Sequence, residues 1–572
     1  MEVRIYSEQD LQDMNKSDII RAYLMLQETY REQLSIDKDK DRQLSNYAEK
    51  LNLLKSQRFG QSSERADSIC GVASEIPDTA PEDKTADKQV TDAEHDESRK
   101  NDKPVADKVR KRPCRHAGCM EKVKKDLPVH DVQVTLTEEE LTERFGGHKW
   151  CELPAYTYDV IRYVPAQCYV ERMHVHVYKG GGKIVKAEPT VQKMFPKSML
   201  TESLMAGILN DKFVLGLPTY RIWQEHDRNG LHLSRQSMSG WIIRCAVELF
   251  EPLVMRLRQI LLGTGHIQAD ETPVWINHDD QNKHSQCRFW VFKTSEFSDG
   301  PKVIVFQFEQ TRSTDVLREF CKGYEGTITC DAYVCYQSFA REQEGKVTIT
   351  GCLTHCRRKY AEVLKAMKGF KKLTEQEKLK VPAYQALKKL SGIFTVEKQF
   401  KSLSAAERLE VREKKVAPMV DDFFTWVYSF KEGDFDKGGL MEAALNYSKN
   451  QEIYLRGFLQ DGQVPIHNSS CEQSIIPLCI GRNAWKMIDS IDGGTAAAYM
   501  YTLAETAKAN GAKAYYYFEF LLKHKALLLG CMKDSADLSV LDKLLPWSDK
   551  YRDYETTQKK RMNDALLNAL AI

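Results

Sequence analysis

The sequence predicts an α/β protein centred on a mixed sheet, and three observations predict it. Short runs of β-branched and aromatic residues at 288–294, 302–308, 326–330 and 346–350 stand between turn signals. An amphipathic run separates two of them, with Ser313 in a capping position ahead of Val316, Leu317 and Phe320. Two acidic residues, Asp270 and Asp331, stand at or just after the ends of apolar runs, where a sheet presents side chains to a crevice.

In chain order, a strand is expected to end near Asp270. Runs 288–294 (RFWVFKT) and 302–308 (KVIVFQF) then form two strands joined by a turn at 298–301 (SDGP). A helix follows from Ser313, then a strand at 326–330, a strand at 346–350, and a basic amphipathic helix at 354–367. Three strands, helix, strand, loop, strand, helix is the order of a ribonuclease H-like core.

A third acidic residue, Glu472, lies in a stretch with helical character at 468–475. Asn468 stands one turn earlier on the same face, and Pro477 is expected to limit the helix. Hard divalent cations such as Mg²⁺ take oxygen ligands in octahedral geometry and keep several waters. Carboxylates from separate elements suit a pair of such ions about 3.5–4 Å apart, an arrangement that activates an attacking oxygen and stabilises a leaving one in phosphoryl transfer. With 81 acidic residues in the chain, one of them can reach a strand end by chance, so the local signatures carry more weight than any single position.

Those signatures are ADETP at 269–273, CDAY at 330–333, GCLTHCRRKY at 351–360, Asn468 to Glu472 through Pro477, GRNAW at 481–485, YTLAETAKANG at 501–511 and LPW at 545–547. In this order they resemble the large transposase of the insertion sequence 66 family. The resemblance runs from Asp126 to Trp547, with a weaker echo in RFGQSSE at 58–64. It implies that Asp270, Asp331 and Glu472 act as the catalytic metal ligands of a DNA transposase, which cleaves at element ends and transfers the strand into target DNA. The implied cofactor is a pair of Mg²⁺ ions, with Mn²⁺ able to substitute. The implied partners are element ends and target DNA, a second copy in a homodimer or higher oligomer, and small accessory transposition proteins. The long interval between Asp331 and Glu472 implies a helical insertion over 369–465. Where the family has an acidic or Asn-rich lead-in and an arginine after the glutamate, this chain has His467, Ser469 and Gln473. Positive charge for DNA is then sought in Arg482 and Lys486, or in Arg357 and Arg358. Two alternatives stay open: a catalytically idle DNA-binding regulator derived from a transposase, and a host nuclease on the same core.

The rest of the chain is read around that core, 263–510. Over 1–58, Ile19, Tyr23, Leu26, Tyr30, Leu44, Tyr47, Leu51 and Leu54 recur at steps of three and four, interrupted at Gln33, Asp37 and Lys40. That is a coiled-coil seam, and the family likewise carries a leucine-zipper-like N-terminus. From 59 to 125 the chain reads as a disordered linker, since no aromatic residue stands between Phe59 and Phe145 to support a core. The region 126–195 reads as a small β-rich module resembling a degenerate zinc-finger domain. Zinc is not expected there, because Cys151, Cys168, His174 and His176, or Cys114, His116 and Cys119, lack paired knuckle spacing. The region 196–262 reads as helical with a possible helix-turn-helix, which sets Arg235, Gln236 and Ser239 at the leading end of the second helix for the major groove. A helical region and polar tail complete the chain over 511–572.

Composition agrees with a multidomain protein of the reducing cytoplasm. The 572 residues carry a formal net charge of only +2, so DNA binding has to rest on local basic patches. Fifteen cysteines, odd in number and mostly isolated, argue against a disulfide framework. No signal peptide opens the chain and no apolar run reaches membrane-spanning length, so a soluble, nucleoid-associated protein without membrane contact is expected.

Overall fold

The computed structural model describes residues 15–59, 129, 137–146, 168–180, 183–187, 194–195, 198–278, 283–531 and 537–570. Helix α1 (Lys16–Phe59) runs unbroken through Gln33, Asp37 and Lys40, and its expected seam residues are all exposed. Its later half docks on the body of the chain: Asn46 donates to the Lys437 carbonyl at 2.8 Å, and Glu49 accepts the Leu440 N–H at 3.3 Å. Helix α2 (Glu138–Phe145) starts at a capping box between Thr137 and Glu140. Of the module expected over 126–195, a hairpin is described, β1 (Val177–Gly180) with β2 (Lys183–Lys186). Phe59, expected to open the linker, ends α1 instead, and the rest of that linker, 60–125, with Cys114, His116, Cys119 and Cys151, lies outside the described residues.

Helices α3 (Glu202–Phe213), α4 (Thr219–Arg228) and α5 (Arg235–Arg244) follow. The break between α4 and α5 falls at Gly230, whose φ of +83° favours glycine. Ser234 caps α5 by accepting the Ser237 N–H at 3.0 Å. A π-turn (Cys245–Phe250) then carries α5 straight into α6 (Glu251–Leu262), a continuation that the sequence pattern did not signal.

The sheet is ordered β5-β4-β3-β6-β7. Strand β3 (His266–His278) pairs antiparallel with β4 (Lys283–Thr294), and β4 with β5 (Ile304–Glu309). On its other side β3 takes β6 (Gly326–Cys330) in parallel, and β6 takes β7 (Val347–Gly351) in parallel. Phe289, Trp290, Val291 and Phe292 in β4 are wholly buried, as befits a strand covered on both faces. Helices α7 (Thr314–Phe320) and α8 (Val334–Glu342) flank β6 in sequence. Ser313 holds the N-cap position of α7, but its hydroxyl turns to Asp315 at 3.3 Å instead of capping the backbone.

One expectation is corrected here. Strand β3 does not end near Asp270; it continues through Pro273 to His278, because β4 offers an antiparallel partner along that whole length. Proline is tolerated there because the ladder with β6 has already stopped at Gln268↔Thr329, leaving that edge of β3 unpaired at Pro273.

Two hydrophobic clusters divide the body. One joins the sheet to α3–α6 and to the C-terminal helices. The other is built from α9 (Leu353–Ala366), α10 (Pro382–Lys398), α11 (Ala405–Val411), α12 (Ala417–Tyr428) and α13 (Leu440–Leu455). The chain returns to the sheet through α14 (Ser469–Trp485) and a short strand, β8 (Met487–Ile488), that pairs with the far end of β3. Helix α14 passes through Pro477 instead of stopping before it, since Leu478 and Gly481 beyond the proline are buried and their packing outweighs the lost hydrogen bond.

Helix α15 (Ile491–Ala509) protects the outer edge of β5. The Phe306 N–H donates to Thr502 Oγ1 at 2.8 Å, and the Ile304 N–H to Thr506 Oγ1 at 3.1 Å. Helix α16 (Ala514–Lys523) is followed by a final helix, α17 (Asp549–Leu570), which seats Tyr551 in the first cluster. The polar tail is thus ordered as a helix by a few inward residues.

Candidate active site

The last parallel pair between β3 and β6, Gln268↔Thr329, fixes the geometry of two candidate carboxylates. Asp270 and Asp331 each lie two residues beyond that pair, so continuing the register sets them level where the two strands part. Asp331 then turns the chain toward α8 by accepting the Tyr333 N–H at 2.9 Å, and Asp270 accepts the Glu271 N–H at 2.8 Å.

Asn468 brings the third carboxylate to them. Its side chain, wholly buried, donates to the Ala269 carbonyl at 2.8 Å and accepts from Gln268 Nε2 at 3.2 Å. Its backbone N–H points at Cys352 Sγ, 3.2 Å away, and Ser470 donates to Gln268 Oε1 at 2.5 Å. The start of α14 is thereby pinned to the residue before Asp270, and Glu472 follows one turn later. Asn468→Ala removes a buried bridge between Ala269 and Gln268, leaving the Gln268 amide only the His467 carbonyl at 3.3 Å and Ser470, so a loss of about 1–3 kcal/mol is expected from chemical denaturation, together with displacement of Glu472. An unchanged midpoint would contradict this pinning role.

The electrostatics reflect crowding. The Asp270 carboxyl is held well above the usual range, first by burial and then by the negative charges of Glu271, Glu472 and Asp331. Asp331 is also raised, by burial and by Glu271, against the opposing pull of the Tyr333 N–H, His355 and Arg312. His355 Nε2 stands 3.8 Å from Glu472, and Arg358 4.0 Å from it on the same face of α9. Among the described residues, the group whose ligand atoms all lie within 4.8 Å of one another is Cys352, His355 and Glu472. Asp270, Asp331 and Glu472 lie in electrostatic reach but are not drawn together that tightly. A pair of ions about 3.5–4 Å apart does not require them to be, since the two outer ligands then serve different ions.

Sequence reasoning missed the support around Asp331. Glu271, with only 2% of its side chain exposed, accepts from Tyr336 Oη at 2.7 Å and from Arg312 Nε at 2.6 Å. Arg312 also stands 3.8 Å from Asp331, with its guanidinium 3.4 Å above the Tyr333 ring. Glu271 sits inside the ADETP signature and was legible there; nothing in the sequence announces Arg312.

The basic candidates are distributed unevenly. Arg482 donates to Thr272 Oγ1 at 2.8 Å and to the Pro273 carbonyl, so it braces β3. Lys486 is exposed at the end of α14. Arg357 is only 2% exposed, so of the two arginines sought for DNA on α9 it faces the interior, while Arg358 is half-buried beside Glu472. Arg235, Gln236 and Ser239 are exposed along the start of α5, and Arg235 lies over the Tyr220 ring at 5.5 Å. Cys168, His174 and His176 are exposed.

Residues 197–496, just over half of the chain, match a family model described as Transposase IS66 family. The chain is 23% identical over 373 residues to the uncharacterised protein y4jD of Sinorhizobium fredii, covering 64% of this chain and 69% of that relative. It is 23% identical over 389 residues to y4qI of the same organism, also uncharacterised, covering 67% and 68%. A third relative there, y4hP, is 24% identical over 363 residues, covering 62% and 63%.

Proposed function

This chain belongs to the IS66 transposase family, and from that premise we propose that it cleaves DNA at the ends of an insertion element and joins them to target DNA, with Asp270, Asp331 and Glu472 as the metal-holding carboxylates. The observation that carries the reading is the charge cluster at Asp270: a carboxylate facing two further carboxylates and Glu271 is held above its ordinary range, a condition that divalent cations relieve. One Glu472 oxygen is buried without a hydrogen-bond partner, as a ligand oxygen awaiting a cation is. The all-oxygen donor set suits Mg²⁺ or Mn²⁺. When bound, such ions supply activation of the attacking oxygen and stabilisation of the leaving one.

The chain's own residues do the positioning. Asn468 sets Glu472 against β3, and Arg312 with Tyr336 holds Glu271 beside Asp331. The exposed Arg235, Gln236 and Ser239 are offered to a major groove, and Arg358 and Lys486 to phosphates near the cut, while Arg482 braces β3. The strand order β5-β4-β3-β6-β7 supports reading residues 263–510 as a ribonuclease H-like core with a helical insertion. The exposed seam of α1 supports pairing of two copies through a coiled coil, which would hold two element ends in one complex. No described helix is long and apolar enough to cross a membrane.

The test is incubation of the full chain with Mg²⁺ and DNA bearing the element's ends. Nicks that leave a 3′ hydroxyl, and joined products, are expected from the native protein, with at least about a thousandfold less from Glu472→Gln, roughly 4 kcal/mol of barrier. Specific binding with no nicking would overturn the reading in favour of a DNA-binding regulator. Cutting indifferent to the ends would favour a nuclease.

A further inference from the structure

We propose that Cys352, His355 and Glu472 form a second metal site, selective for a soft divalent cation such as Zn²⁺, which shares the Glu472 carboxylate with the all-oxygen site. Cys352 stands at the N-cap of α9 and His355 three residues later, so thiol and imidazole face the same way from its first turn. Glu472 comes from the first turn of α14, and the Asn468 N–H on Cys352 Sγ clamps the two helix starts together. One sulfur, one nitrogen and one oxygen ligand with a fourth position open is a zinc donor set, whereas Mg²⁺ avoids thiolate. Metal–ligand bonds of about 2.0–2.3 Å in a tetrahedron place the ligand atoms about 3.3–3.8 Å apart. His355 Nε2 and Glu472 Oε1 are already at 3.8 Å, and the whole trio is within 4.8 Å. Closure therefore needs only side-chain adjustment.

A separate observation points the same way. Glu472 Oε1, the atom that faces His355 Nε2, is buried with no hydrogen-bond partner, although buried polar atoms ordinarily have one. Burial and then the Glu472 charge push the Cys352 thiol up to about 11, with the Asn468 N–H directed at its sulfur pulling the other way, so a cation between the three groups would supply the positive charge that a thiolate there needs. A cation there draws Glu472 toward α9, so Zn²⁺ should oppose Mg²⁺-supported cleavage. That consequence rests on the proposed role of Glu472; the binding does not.

The experiment uses the full chain, reduced and stripped with chelator, with neither DNA nor Mg²⁺ present. Zinc is titrated against a colorimetric competitor, and cobalt is followed through its thiolate charge-transfer absorption. Cys352→Ser, His355→Gln and Glu472→Gln should each remove one equivalent of tightly bound metal relative to the native chain, while Cys168→Ser, at an exposed cysteine elsewhere, should remove none. Equal stoichiometry in the native chain and in His355→Gln, whose side chain is partly exposed and so the gentlest change, would overturn the site even if Cys352→Ser fails to fold. In a cleavage assay, Cys352→Ser should need at least about tenfold more zinc for inhibition, since losing a ligand costs no less than the roughly 10–100-fold usual for a group that only supports one. Absence of cleavage by the native chain would count against the proposed function alone, since the stoichiometry is read without it.

Discussion

Asp270→Asn is expected to reduce Mg²⁺-dependent cleavage by at least about a thousandfold, roughly 4 kcal/mol of barrier, and at the same time to make the metal-free protein more stable at neutral pH. The two effects share one cause. Asp270 is raised by burial and by the surrounding carboxylates, so the folded chain holds its proton more tightly than the unfolded chain does. Its contribution to stability is full below the unfolded carboxylate range and is lost as pH rises through the raised folded value. The metal-free native protein should therefore lose stability from mildly acid to neutral pH at this site, and the asparagine variant should lose less. Calorimetric melting across that range, with chelator and then with Mg²⁺, checks the sign. The native protein should gain melting temperature with Mg²⁺, most at the higher pH, and the variant should gain little. Equal Mg²⁺ stabilisation of both proteins would remove Asp270 from the metal site.

Arg412→Ala should destabilise the chain by about 3–5 kcal/mol, because it leaves the Glu397 carboxylate buried without its cation. Arg412 is wholly buried in the π-turn after α11, where it donates to Glu397 Oε1 and, at 2.8 Å each, to the carbonyls of Phe458 and Asp461. Arg408 reaches the Gly462 carbonyl from the same helix. Gly462 is pressed so closely on α11 that an added Cβ would meet the Ala405 carbonyl oxygen at 1.8 Å. These contacts hold the run that leads from the insertion to Asn468. The variant should therefore lose cleavage activity at temperatures where it is still folded. Replacing both partners, Arg412→Met with Glu397→Leu, should recover most of the stability, since apolar packing can replace a buried pair. Chemical denaturation of the three proteins decides it, and a double variant no more stable than Arg412→Ala would refute the account of the buried charge.

The sheet was legible because its strands are short apolar runs between turn signals; the strand at 326–330 falls where expected, and those at 288–294 and 346–350 within a few residues. What misled was local chemistry that tertiary contacts override. Asp270 read as a strand end and Pro477 as a limit to its helix, yet β4 and the packing of Leu478 carry both elements past them. The two aspartates and the glutamate were found through their signatures and not through any periodicity. The contacts that support them, Arg312 and Tyr336 on Glu271 and Gln268 on Asn468, join positions far apart in the chain that become neighbours only in the fold. Cys352 and His355 were visible as a spaced pair in GCLTHC, but their third partner comes from a helix more than a hundred residues away.

The central claim is most directly tested by Mn²⁺ added to crystals of the metal-stripped chain and located by anomalous scattering. The account predicts two ions about 3.5–4 Å apart, with Asp270 reaching both and Asp331 and Glu472 each holding one. Manganese bound away from these three carboxylates, or absent from them at saturating concentration, would contradict it.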